Sequence, residues 1–179
     1  MLREHYQAAA VILEYGSGGS TCEAADLPGK TVFSVESDKG WCDGLGSWFE
    51  AHPPAAIVHM HYADVGPTGK WGRPATEKHW RRFHHYPYSV WERPDFLHPD
   101  VVLVDGRFRA ACFLAVLFSI TRPIALLFDD YAERSSYHEV EFFAKPVEMQ
   151  GRLARFYLTP TPIPAAAMPW IFDVFARQL

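Results

Sequence analysis

At 179 residues, with 49% hydrophobic and 15% aromatic content, the chain can bury the core of one domain and is too short for a second full one. A net charge of -4 and a pI near 6.1 exclude a broadly basic nucleic-acid surface. Cys22, Cys42 and Cys112 are odd in number and lack Cys-x-x-Cys spacing, which gives neither a disulfide framework nor a zinc site and sets a reducing cytoplasm as the expected compartment.

Residues 2–10 fit a shortened helix before the first strand. The run VILEYGSGGST, residues 11–21, is an apolar strand ending at Glu14, followed by a glycine turn at Gly16, Ser17, Gly18 and Gly19. Ser20 and Thr21 can cap a helix over 20–27, which Pro28 and Gly29 stop. Residues 31–36 (TVFSVE) are β-branched and aromatic and form the second strand. Trp41, Leu45, Trp48 and Phe49 recur at helical spacing over 39–51. Residues 56–62 make a third strand, on which His59 and His61 share one face. With no third partner in view, a polar face is expected there in preference to a metal site.

Residues 65–99 break this rhythm with an insert rich in Gly, Pro, Trp, His and Tyr. The basic run from Lys78 to Arg82 within it reads as a solvated helix face. His84, His85, Tyr86 and Tyr88 are candidates for a general base or a stacking surface, if the insert forms a lid; a plain crossover packed on the sheet is the alternative. Residues 100–105 and 123–128 are continuous apolar strands flanking an apolar helix over 107–120, the pattern of a parallel sheet covered on both faces. The longest apolar stretch, 110–120, cannot span a bilayer, so no membrane partner is expected. A helix is expected over 132–143, then strands over 147–150 and 153–158 joined at Gly151 and Arg152. A Pro-rich tether leads to a last helix over 170–177, whose Ile171, Val174 and Phe175 would pad the core or a homodimer contact.

In open α/β sheets ligands lie beyond the carboxyl ends of the strands, where this chain carries Glu14, Glu36, Asp105, Asp129 and Asp130. A glycine loop followed about twenty residues later by the strand-end acid Glu36 points to a nucleotide-like cofactor. Thr21 stands where a dinucleotide fingerprint needs its third glycine. The acid-x-Gly-x-Gly form at Glu14, Gly16 and Gly18, with Glu36, Asp64 and the terminal hairpin, instead resembles class I S-adenosylmethionine-dependent methyltransferases over most of the chain.

That resemblance implies an α/β three-layer sandwich with a mostly parallel seven-stranded sheet and a C-terminal antiparallel hairpin. It implies S-adenosylmethionine held by Glu14, Gly16, Ser17, Gly18, Glu36, Ser37, Asp64, Val65 and Asp105. Asp105 and Asp130 are the catalytic candidates, and Asp105, Asp129 and Asp130 resemble the magnesium ligands of metal-dependent O-methyltransferases. The plainer alternative pairs Asp130 with Arg107, Arg109 or Arg134, which could otherwise grip an anionic substrate. The expected acceptor is a small molecule. A methyltransferase-like binding or interaction protein without catalysis, and a nicotinamide-dependent oxidoreductase, stay open as alternatives.

Overall fold

A computed structural model describes residues 1–178. The chain forms seven strands, all but the polar β6 from largely apolar runs: β1 (Val11–Tyr15), β2 (Thr31–Glu36), β3 (Ile57–Tyr62), β4 (Val101–Val104), β5 (Ile124–Phe128), β6 (Glu148–Gln150) and β7 (Leu153–Leu158). They form one sheet in the order β3-β2-β1-β4-β5-β7-β6. β1 to β5 are parallel, whereas β7 lies antiparallel to both β5 and β6. The expected terminal hairpin is therefore present, and it closes the sheet beyond β5.

The helices are α1 (Leu2–Ala8), α2 (Gly19–Ala25), α3 (Lys39–Ala51), α4 (His85–Tyr88), α5 (Arg109–Ser119) and α6 (Met168–Ala176). Alternation along β1 separates two cores. Leu13 and Tyr15 join the larger, with Phe33, Val35, Val102, Val104, most of α5 and the α6 residues Ile171 and Val174. Ile12 joins the smaller, with Tyr6 of α1, Ala24 of α2, Val32 and Leu103. From Arg109 to Leu117 every residue of α5 is buried, as befits a helix apolar on all sides. Among the described residues no helix is long and apolar enough to cross a membrane.

The insert is anchored in the larger core by Phe83, Tyr86 and Val90, each at most 1% exposed. The Tyr15 hydroxyl donates to the Pro87 carbonyl (2.6 Å) and accepts from the Trp91 indole (2.8 Å). His61 is held by Ser89 (2.7 Å); because the Ser89 hydroxyl donates to the His85 carbonyl, His61 Nε2 is the donor to Ser89. Burial, and then Arg93, push its pKa down to about 4, so this histidine is a neutral structural group on a polar strand face.

Two expectations change. Residues 132–143 form a 3-10 segment, Ser135–Phe142, and not an α-helix, because its buried side chains are Tyr137 and Val140, three residues apart and eclipsed in that geometry. On α3, Trp41 and Trp48 are 56% and 45% exposed, and the helix rests on Cys42 and Phe49 instead.

Phe113 of α5 is fully buried, edge-on to Phe156 with ring centres 5.1 Å apart. Phe113→Ala should lower unfolding free energy by about 3–5 kcal/mol in urea titrations with an unchanged m-value.

Candidate functional site

The chain leaves β1 for β2 on one side and reaches β4 on the other, so the strand order reverses at β1. Register brings the strand ends level there, with Tyr15 opposite both Val35 and Val104. The Gly16 amide then donates to the Val35 carbonyl and the Asp105 amide to the Tyr15 carbonyl, each at 2.9 Å. Gly16, Glu36 and Asp105 meet at this edge as the sequence suggested.

Gly16 has φ +105, and a Cβ there would come within 2.7 Å of the Gly106 backbone. Side chains at Gly18 or Gly19 would meet nothing within 4 Å, so the loop keeps a free surface at the start of α2. Beneath it the Ser17, Ser34 and Thr21 hydroxyls form a chain (2.8 and 3.2 Å), and Thr21 accepts from the Gly18 amide (2.9 Å). Thr21 thus ties down the loop at the very position where a dinucleotide fingerprint has glycine.

Glu14 lies under this loop, fully buried, and accepts from the Tyr6 hydroxyl at 2.5 Å. Its other oxygen has no hydrogen-bond partner among the described residues, and burial pushes its carboxyl pKa up. Tyr6, which sequence reasoning missed, makes α1 the floor of the loop; an amphipathic reading of 2–10 could have found it.

Glu36 is 8% exposed. One oxygen accepts from the Ser37 and Asp38 amides (2.7 and 2.9 Å), the other weakly from the Ser17 amide (3.4 Å). The insert covers it: the Ser37 hydroxyl donates to the Gly72 carbonyl (2.8 Å), and a Cβ on Gly72 would lie 2.9 Å from the carboxylate. Trp41 lies over the loop instead of in the core, its indole donating to the Ser17 carbonyl (2.9 Å). Asp64 is engaged at the base of the insert, where it accepts from the Gly66 amide (2.9 Å) and pairs with Arg82 (3.0 Å); the amide, then Arg82, hold its pKa down. Val65 is fully buried core.

Of the aromatic candidates in the insert, Tyr86 is buried with its hydroxyl against Gly106, Tyr88 stacks on Phe175, and His85 contacts the Asp64 carbonyl. His84 packs edge-on to His85.

Beside the glycine loop lies a cluster of three aspartates and three arginines. Arg109, 3% exposed, bridges Asp105 (3.1 Å) and Asp130 (3.2 Å) and also binds the carbonyls of Asp105, Gly106 and Asp129. Arg134 pairs with Asp130 (2.9 Å), and Arg152 with Asp129 (2.8 Å) and Asp130 (3.2 Å). Asp130 adopts φ +57 to enter this cluster. Arg152 was not expected; its position at the β6–β7 turn, which an antiparallel β7 brings beside the end of β5, was the available signal.

The cluster does not suit magnesium. Each carboxylate already faces a guanidinium, and among the described residues no group of three His, Cys, Asp or Glu side chains is arranged to hold a metal ion. The ion pairs expected of Arg109 and Arg134 are formed, whereas Arg107 makes no ion pair among the described residues. Burial, and then Asp129 and Asp130 against Arg109, raise the Asp105 pKa to about 6. The loop itself suits a nucleoside-type cofactor, having a free glycine surface and a strand-end acid, but Gly72 packs against that acid.

A methyltransferase-like protein from Silicibacter pomeroyi DSS-3 is 51% identical across 98% of this chain and 91% of that one, with a TM-score of 0.94. The O-methyltransferase TomG of tomaymycin synthesis from Streptomyces achromogenes, solved with S-adenosylmethionine, is 16% identical over 89% of this chain and 78% of its own, at a TM-score of 0.59. An O-methyltransferase from Bacillus cereus, solved with S-adenosylhomocysteine, gives 14%, 88%, 79% and 0.57. At these identities the two likenesses speak to fold alone. No protein-family model and no curated protein sequence matches the chain.

The raised Asp105 pKa fixes a pH signature. Between its ordinary 3.8 and about 6 the folded protein holds a proton that the unfolded chain has released, so this contribution to stability is full below about 4 and lost as pH rises through 6. Asp105→Asn should therefore gain stability relative to the parent between pH 4 and 6 and hold a constant difference above 7, in urea titrations across pH. The difference is modest because the side chain is 42% exposed and screened.

Proposed function

This chain belongs to the methyltransferase-like family of the Silicibacter pomeroyi protein and has the class I methyltransferase fold, and from that premise we propose that it binds S-adenosylmethionine at the β1–β2 edge and methylates a small molecule. The observation that carries this reading is the meeting of the Gly16–Gly18 loop, Glu36 and Asp105 at the strand-order reversal.

In this reading Gly16, Ser17 and Gly18 pass beneath the cofactor, Glu36 and Ser37 take its ribose hydroxyls, and Asp64 flanks the adenine, with Val65 behind it in the core. Glu14 acts from below as a positioning residue, through Tyr6 and the loop. When bound, the cofactor supplies a sulfonium methyl group that is already strongly electrophilic. The protein then has to align the acceptor, exclude water and remove a proton where the acceptor is a hydroxyl or amine. Asp105, with a pKa near 6 and its side chain open to solvent, is suited to take that proton near neutral pH. Asp130, bound by three arginines, positions Arg109 and through it Asp105. Arg107, which makes no ion pair among the described residues, is placed to hold an anionic group on the acceptor.

One observation favours the second reading, a methyltransferase-like protein without catalysis: Glu36 is covered by the chain's own Gly72. Binding of the reaction product tests the cofactor site that the first reading requires. Calorimetry should show saturable binding of S-adenosylhomocysteine, none of NADH, and no change with magnesium or EDTA. Glu36→Ala should weaken it at least tenfold, the loss of about 1.4 kcal/mol or more from charge-assisted hydrogen bonds. Folded protein that binds no S-adenosylhomocysteine would overturn the methyltransferase reading, whereas binding without methyl transfer to any acceptor would leave a non-catalytic cofactor-binding protein.

A further inference from the structure

The insert segment over residues 68–74 is a small closed turn. Thr68 bridges Pro74, the Gly69 amide donates to the Arg73 carbonyl (2.8 Å), and the Ala75 amide to that of Pro67 (2.8 Å). Its outer side is solvent, with Trp71 77% exposed, while Gly72 is buried. Gly72 rests on Glu36 and Ser37, the two side chains assigned above to the ribose, and it is bound to the body of the protein by the hydrogen bond from the Ser37 hydroxyl.

Residue identity at this contact is dictated by the fit. Gly72 has φ +68, and a Cβ would come 2.6 Å from Ser37 Oγ and 2.9 Å from Glu36 Oε1. Trp71 beside it adopts φ 63, a left-handed conformation unfavourable for a bulky side chain, so the closed turn is held under strain. The rest of the insert is fixed independently, by Phe83, Tyr86 and Val90 in the core and by Asp64 on Arg82 and Gly66. None of those anchors lies within residues 68–74.

We propose that the 68–74 turn is a latch that occupies the ribose place over Glu36 and Ser37, so that its closure and cofactor binding exclude one another. The carbonyl of Gly72 satisfies the Ser37 hydroxyl in the closed state, and a vicinal diol satisfies Ser37 and Glu36 in the open one. This inference rests on the cofactor assignment above. The apparent affinity for a nucleoside cofactor is then set by the fraction of molecules with the latch open.

Hydrogen–deuterium exchange and calorimetry on the full chain test both parts. Gly72→Ala should raise exchange at residues 69–75 without ligand and tighten S-adenosylhomocysteine roughly fivefold, the equivalent of one neutral hydrogen bond lost from the closed state. Ser37→Ala, which adds no atom, should raise the same exchange and guards against a folding defect in the first variant. In the parent protein S-adenosylhomocysteine should raise exchange at 69–75 while protecting 16–18. Binding to Gly72→Ala but not to the parent would support the latch most strongly. Binding to the parent with 69–75 equally or better protected, and unchanged affinity in Gly72→Ala, would overturn the latch and leave the cofactor assignment standing. If neither protein binds while the Gly72→Ala turn exchanges faster, the cofactor assignment fails and takes with it the exchange proposed here.

Discussion

The contact on which this site depends is backbone against backbone, where Gly16 meets Gly106. A single methyl group at Gly16 would penetrate the next loop to 2.7 Å, so the β1 and β4 ends can come level only because that position carries no side chain. Their closeness lets the Asp105 amide bond to Tyr15 and lets Glu36, Ser17 and Asp105 share one edge. The same approach leaves room for the Tyr86 hydroxyl over Gly106, where a Cβ would overlap it. The insert therefore packs into the junction from above while Tyr6 and Glu14 support it from below.

Electrostatics sets the second constraint. Three carboxylates near one another would repel and take up protons, but Arg109, Arg134 and Arg152 neutralise Asp129 and Asp130. Asp105 shares only the buried Arg109, and its own burial, with Asp129 and Asp130 nearby, outweighs that one guanidinium and raises its pKa to about 6. A cluster built this way orders the loop after β4, and its carboxylates are already committed to guanidinium partners in place of a hard cation.

The sheet was readable because each strand but the polar, exposed β6 is a short, largely apolar run bounded by glycine, proline or an acid, and the hairpin turn at Gly151 marked the reversal of direction. The edge residues Gly16, Glu36 and Asp105 were readable for the same reason: strand ends are local features. The 3-10 segment at Ser135–Phe142 was not, since Tyr137 and Val140 suit helical spacing as well as a three-residue turn until the packing decides. Tyr6 on Glu14, Arg152 on Asp129 and Gly72 on Ser37 depend on chain segments that only the completed topology brings together. Exposed Trp41 shows a different limit, because spacing marks a residue as apolar but not that its indole nitrogen will seek the Ser17 carbonyl.

The antiparallel β7 has a consequence for the order in which the protein is made. All five parallel strands have been synthesised once Phe128 is added, yet Arg152 follows only with the hairpin, and Phe128 pairs with Ala154. A nascent chain leaving the ribosome at that stage carries Asp129 and Asp130 at the sheet edge without one of their counter-charges, and β5 without its outer neighbour. Charge balance and edge protection then arrive together, in one late hairpin. Synthesis of the hairpin thus both seals the sheet and quiets the acidic pair at the end of β5.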